Sequence, residues 1–206
     1  MAKINIVLDM DGTLISEDEL NVVYPRPHLK IFLRFCFECF ETVSIWTNAC
    51  EKWFQIVNRA VFIPLLDEIN EENETDYKFH VVYTEKRSSN IFIQTEGFYS
   101  EGYYQIKRLR KLWRHKSLPH TRRNTIVIDD TPSTYEENYG NGIPIKAWHW
   151  KSVFDEELLY IAQYLTILIR QFKEIGNVRH IEKRWWKDEI PSLKVSEKIE
   201  EDASET

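Results

Sequence analysis

Cysteine is scarce in this chain. Its 206 residues contain three, an odd and low number that gives no disulfide framework and suits a reducing compartment. Cys36 and Cys39 form a C-x-x-C, a spacing that redox proteins use. They fall in a strongly apolar segment, residues 29–40, that reads as a buried helix, so packing is their expected role. An excess of positive charge is also missing. With 27 Lys and Arg against 33 Asp and Glu the net charge is −6, which argues against a surface that binds nucleic acid as a whole. The histidines (His28, His80, His115, His120, His149 and His180) show no metal-ligand spacing, and no zinc site is assigned. There is no long unbroken apolar run. Residues 158–172 come nearest, but Gln163, Thr166, Arg170 and Gln171 interrupt them, so no membrane span is expected. Met1-Ala2-Lys3-Ile4-Asn5 leads into acidic residues after too short an apolar run for a signal peptide. The expectation is a soluble intracellular protein of the nucleus or cytoplasm. No internal repeat is visible.

What is present is an ordered body. The composition is 43% hydrophobic and 14% aromatic, and the length suits one domain with extensions. Residues 1–178 are expected to form the domain. Residues 179–206 read as a C-terminal extension whose last part, residues 197–206, is acidic, small and disordered in character. Apolar, β-branched runs at residues 4–8, 42–46 and 125–128 read as buried strands, with a fourth at 143–147. Residues 79–84 and 90–95 also read as strands. Helical spacing predicts helices over residues 29–40, 51–62, 106–115 and 155–175, the last followed by Gly176. The acidic run 67–76 reads as a solvated surface segment. Strands alternating with helices predict an α/β fold with a parallel sheet flanked by helices.

Ligand sites of such sheets lie at the carboxyl ends of the strands. Three of the predicted strands end in polar residues: Asp9 and Asp11, Thr47 and Asn48, Asp129 and Asp130. Phosphoryl transfer needs a carboxylate that can attack phosphorus. It needs a second acid nearby to protonate the leaving oxygen and then activate water. Mg2+, which prefers oxygen ligands, offsets the repulsion between carboxylate and phosphate. A hydroxyl and a lysine can hold the remaining phosphate oxygens. Asp9, Asp11, Thr47, Lys107 and the Asp129/Asp130 pair supply that inventory in order. Each alone admits a plainer reading: a strand end, a turn at Gly12, a capped turn at Asp129-Asp130-Thr131-Pro132, or a solvated lysine at Lys107. The ordered set points to catalysis.

The motifs carry a resemblance. Val7-Leu8-Asp9-Met10-Asp11-Gly12-Thr13-Leu14 resembles the first motif of the haloacid dehalogenase superfamily. Arg26-Pro27-His28-Leu29, Ile45-Trp46-Thr47-Asn48-Ala49, the segment around Lys107, and Ile128-Asp129-Asp130-Thr131-Pro132-Ser133-Thr134-Tyr135 resemble, more narrowly, the small C-terminal-domain phosphatases, also called NLI-interacting-factor-like phosphatases. The likeness covers about residues 3–170. It implies a haloacid-dehalogenase-like Rossmannoid sheet and a Mg2+-dependent protein phosphoserine or phosphothreonine phosphatase, with the RNA polymerase II tail as a notable substrate. It implies Asp9 as nucleophile and Asp11 as general acid and base. Asp9, the Asp11 carbonyl and Asp130 would contact Mg2+, with Asp129 orienting Lys107 or binding a metal water. Thr47 and Lys107 would hold the phosphate.

Three departures bear on substrate. Gly12 stands where the family often has an acid, Asn48 where a small residue is usual, and Thr84 where an arginine tends to precede a glutamate. Arg87 is the remaining candidate for that arginine, so Thr47, Asn48, Arg87 and Lys107 form the expected substrate-binding set. The interval between Asn48 and Lys107 holds a helix, an acidic segment and a small β-hairpin, with no evident full cap domain. An open site favours a phosphorylated protein or peptide. The basic run 107–123, with Trp113 available for stacking, keeps a nucleic-acid-end or nucleotide phosphatase as the alternative. A non-catalytic phosphobinding protein is the third reading. Trp185 and Trp186 are expected to pack back on the domain.

Overall fold

The computed structural model describes residues 3–93 and 102–191. In chain order the strands are β1 (Asn5–Leu8), β2 (Ile15–Glu17), β3 (Val23–Pro25), β4 (Thr42–Trp46), β5 (Val82–Tyr83), β6 (Ser89–Ile93), β7 (Gly102–Ile106), β8 (Thr125–Asp129) and β9 (Gly142–Pro144). The α-helices are α1 (Leu29–Cys39), α2 (Glu51–Val57), α3 (Ile63–Asn73), α4 (Arg110–Trp113) and α5 (Glu157–Ile175). Five strands form a parallel sheet in the order β5-β4-β1-β8-β9. Strands buried on both faces cannot alternate apolar with polar, which is why β1, β4 and β8 read as near-continuous apolar runs. Their side chains still divide by the two-residue period. Ile6, Leu8, Val43, Ile45, Ile126 and Ile128 join one core with α1, α2, α3 and α5. Val7, Trp46 and Val127 turn the other way, onto Leu109, Leu112 and Tyr135. That second face is covered by the single turn of α4 and the 3-10 run Pro132–Asn141.

Several boundaries differ from expectation. The helix predicted to stop at residue 62 continues. A π-helical turn, Asn58–Phe62, joins α2 to α3, and Pro64 sits in the first turn of α3. The π turn accommodates the donor that proline lacks. Leu66 and Ile69 face the core, so the acidic run is the wet face of a helix. The basic helix predicted over 106–115 gives way to a strand. Residues Gly102–Ile106 pair antiparallel with β6 to make the small hairpin, and only Arg110–Trp113 is α-helical. Cys36 is buried in the main core, Cys39 packs against it, and burial raises both thiols above their ordinary pKa. None of the described helices is long and apolar enough to cross a membrane.

The C-terminal segment divides at its two tryptophans. Val178, Ile181, Trp186 and Ile190 belong to the main core, and the Trp186 indole donates to the Pro144 carbonyl at 2.7 Å. Trp185 is exposed. The acidic stretch 197–206 lies outside the described residues.

His120 plugs the sheet beside β4. It is buried, its Nε2 lies 3.4 Å from Thr42 Oγ1, and its Nδ1 has no partner. Burial, helped by the nearby His80, lowers its pKa from 6.5 to about 4. A base with a depressed folded pKa contributes stability that is full above pH 6.5 and is lost as pH falls toward 4. His120→Gln should therefore lose less stability than wild type between pH 7 and pH 4.5, by up to about 3 kcal/mol in denaturant titrations. Parallel losses in both proteins would show that His120 charges freely in the native state.

Candidate active site

Four chain segments bring their polar ends together at the carboxyl edge of the sheet. Asp9 and Asp11 follow β1, Thr47 and Asn48 follow β4, Asp129 closes β8 with Asp130 next, and Lys107 follows β7. With Ala49, Thr131 and Thr134 they line one open cleft of about 150 Å³. Lys107 is held from its backbone as well: its N–H donates to the Thr134 carbonyl at 2.5 Å.

The Lys107 ammonium lies between two buried carboxylates. It donates to Asp9 Oδ1 and, at 2.7 Å, to Asp129 Oδ2. Asp129 also accepts from Thr134 Oγ1 at 2.7 Å and from the Thr131 N–H at 2.9 Å. The second oxygen of Asp9 accepts from Thr13 Oγ1 at 3.1 Å, and that hydroxyl lies 3.4 Å from Asp130 Oδ1. Asp11 faces a different way. Its carboxylate accepts from Thr47 Oγ1 at 3.0 Å and from the Trp53 indole at 2.7 Å. Gly12 has φ 76°, and a Cβ there would come within 2.8 Å of Asp130 Oδ2. An acid at this position, which the resemblance would put there, would be strained by the backbone and would crowd the Asp130 carboxylate.

Charge in the cleft is unbalanced. Burial raises the Asp9 carboxyl from 3.8 to about 8, against the pull of Lys107, and the charges of Asp129 and Asp130 raise it further. Asp130 is raised as well, by burial and then by Asp129. Burial opposes the Lys107 ammonium, but Asp9 and Asp129 outweigh it and hold its pKa above the ordinary value. Asp9, Asp129 and Asp130 each offer an oxygen within 4.8 Å of the others. Three carboxylates facing one ammonium are a set of hard oxygen donors short of positive charge, which fits a divalent ion such as Mg2+. The Asp11 carboxylate stands outside that group because Thr47 and Trp53 hold it.

The NLI interacting factor-like phosphatase family model matches residues 4–179. The chain belongs to this family. Similar proteins include ubiquitin-like domain-containing CTD phosphatase 1 of Bos taurus, 25% identical over 187 residues, which are 88% of this chain and 53% of that protein. The Gallus gallus protein of the same description is 27% identical over 186 residues, 86% of this chain and 54% of that one. The chain thus spans about half the length of the curated relatives it matches. Among solved structures, that of Fcp1, described as an essential RNA polymerase II CTD phosphatase, superposes with TM-score 0.56 at 13% identity, covering 93% of this chain and 70% of that one. At that identity the likeness concerns the fold, the haloacid-dehalogenase-like sheet.

Against the NLI interacting factor-like pattern, two expected binding residues have other surroundings. Asn48 lines the cleft, but its amide oxygen accepts from Ser88 Oγ at 2.5 Å and its amide nitrogen lies 3.4 Å from the Gln105 carbonyl. It ties the hairpin to the site. Arg87 is not among the residues that line the cleft; its guanidinium lies 5.3 Å above the Tyr83 ring. Thr84, where the family tends to have arginine, is buried, with its hydroxyl 3.4 Å from Glu51 Oε2. Reading the sequence gave no individual role to Thr13, Thr134 or Trp53. The two threonines sit inside the recognised motifs and were within reach. Trp53 has no local signal, because only the packing of α2 brings it to Asp11.

Proposed function

We propose that this protein is a divalent-metal-dependent phosphomonoester hydrolase that works through an aspartyl-phosphate on Asp9. Its substrate class is a phosphoserine or phosphothreonine side chain of a polypeptide. The observation that carries this reading is the convergence of Asp9, Asp11, Thr47, Lys107, Asp129 and Asp130 on one open cleft. Asp9 attacks phosphorus in line with the ester oxygen, and the P–O bond to the seryl oxygen breaks as the acyl-phosphate forms. Asp11, protonated at that stage, gives its proton to the leaving oxygen. As a carboxylate it then takes a proton from the water that attacks phosphorus, and Asp9 is released with inorganic phosphate. Trp53 and Thr47 fix the direction of the Asp11 carboxylate. Thr47 and Lys107 hold phosphate oxygens, and Asp129 orients Lys107. Asp9, Asp130 and the Asp11 carbonyl would hold Mg2+, with Asp129 as a direct or water-mediated ligand. The ion supplies the charge that lets an anion meet this acidic site.

The architecture favours a polypeptide. Helices α2 and α3 pack into the core, so among the described residues only the β6–β7 hairpin stands as an insertion beside the cleft, and no full cap closes it. A heptad-repeat polymerase tail is a candidate of this class, by likeness to the relatives described as CTD phosphatases, and it would place the activity in the nucleus. Nucleic acid is less well served. Trp113, the ring available for stacking on the sequence reading, packs against the second core.

Asp11→Asn separates acid catalysis from phosphate binding. Hydrolysis of a phosphoserine peptide, with its poor leaving group, should fall about 10²–10⁴-fold. An aryl phosphate with a good leaving group should lose far less. Equal losses on both substrates would remove Asp11 from the acid role.

A further inference from the structure

The basic run 107–123 does not make one surface. Its far end, Arg122 and Arg123, lies at the start of β8, where their carbonyls accept from Asn141 at 2.9 Å and from the Val178 N–H at 2.9 Å. The near end turns toward the cleft. Lys111 reaches across to the turn after β5 and donates to the carbonyls of Arg87, at 2.5 Å, and Ser88, at 3.2 Å. That contact gathers Arg87 with Arg108, Arg110 and Lys111, which lie more than 20 positions further along the chain yet close enough to repel. Burial first, and then the charges of Arg108, Arg87 and Arg110, lower the pKa of Lys111. Among the described residues the one ion pair in the cluster is Arg108 with Glu137, at 2.8 Å. Arg87 and Arg110 are exposed. The cluster adjoins the cleft on two sides: Arg108 follows Lys107 directly, and Ser88 bonds Asn48.

Four cations with one carboxylate between them repel one another, and a bound dianion would relieve that repulsion. Two rings beside these cations are engaged: Arg87 covers Tyr83, and Trp113 packs against the second core. Neither ring is free for base stacking among the four cations. We propose that Arg87, Arg108, Arg110 and Lys111 form a second anion subsite, which binds another phosphate on the same polypeptide while the scissile phosphoserine occupies the Asp9 cleft. The inference rests on the phosphomonoester reading of that cleft. It makes a multiply phosphorylated segment the preferred substrate.

The test compares peptides carrying one phosphoserine with peptides carrying two, the spacing between the two being varied residue by residue. At the best spacing the wild-type protein should prefer the doubly phosphorylated peptide by about tenfold in kcat/KM, chiefly through KM. The preference should shrink at high salt and vanish in the Arg87→Ala/Arg110→Ala variant, while Arg87→Lys/Arg110→Lys retains part of it. Equal kcat/KM for both peptides at every spacing overturns the subsite. So does a preference that survives the alanine pair, or tighter binding of a 5′-phosphorylated RNA than of the doubly phosphorylated peptide. Aryl phosphate hydrolysis by the wild-type protein reports on the Asp9 cleft alone. Should no substrate turn over, the catalytic reading fails, and fluorescence anisotropy of the labelled peptides on the same protein still decides the subsite.

Discussion

Asp9→Asn should lower turnover of any phosphomonoester by at least about 10³-fold while leaving the protein folded. The side chain keeps its shape. The amide oxygen can accept from Lys107 and the amide nitrogen can donate toward Thr13, so the hydrogen bonds of this buried position have a ready replacement. What is lost is the anionic oxygen that attacks phosphorus. The same variant tests the electrostatics. In the metal-free protein the Asp9 carboxyl is raised from 3.8 to about 8, so the native state holds a proton that the unfolded chain has released. Stability then falls as pH rises from about 4 to about 8. Asp9→Asn removes this slope, and in the presence of a chelator its Tm should decline less than that of wild type between pH 5 and pH 8. Normal turnover by the variant would exclude Asp9 as nucleophile, and an unchanged pH slope would mean that Asp9 is ionised throughout.

Arg26→Met should cost about 3–5 kcal/mol of stability, lowering Tm by roughly 10 °C. Arg26 is 1% exposed. Its Nε and Nη2 grip the Asp155 carboxylate at 2.7 and 3.0 Å, and its Nη1 donates to the Thr13 carbonyl at 3.1 Å. Removing the guanidinium strands a largely buried carboxylate and frees the loop whose threonine bridges Asp9 and Asp130. Asp155 also accepts from the Glu157 N–H at 3.3 Å, so the start of α5 loosens with it. Adding Asp155→Leu should recover part of the loss, because the stranded charge, rather than the missing attraction, is most of the cost. A loss below about 1 kcal/mol in the single variant would show that water reaches Asp155 readily.

The boundaries that could be read from the chain were those set by local chemistry. β4 was predicted over its full observed span, and β1 and β8 to within a residue, because a strand buried on both faces leaves a nearly continuous apolar run that stops at polar residues. Gly176 marked the end of α5, where it adopts φ 68°. What could not be read was set by partners distant in sequence. Residues 102–106 became a strand because β6 pairs with them, although Ile106 opens a basic, helix-like pattern. Residues 67–73 became helix because α3 buries Leu66 and Ile69 on the core, although the acids there suggest only solvent. Of two adjacent tryptophans, Trp186 found the Pro144 carbonyl and Trp185 stayed exposed.

The candidate site divides along the same line. The family, the parallel sheet and the ordered set Asp9, Asp11, Thr47, Lys107, Asp129 and Asp130 were legible in the chain, because all but Lys107 follow strands of a parallel sheet, whose carboxyl ends converge by geometry, and Lys107 was legible from its motif. The tertiary structure alone decided how they are shared out. It set Lys107 between Asp9 and Asp129, turned Asp11 away to Thr47 and Trp53, and moved Arg87 out of the cleft into a cluster of cations. Those choices depend on which atoms meet within hydrogen-bond distance in a buried site, and spacing along the chain carries no record of that.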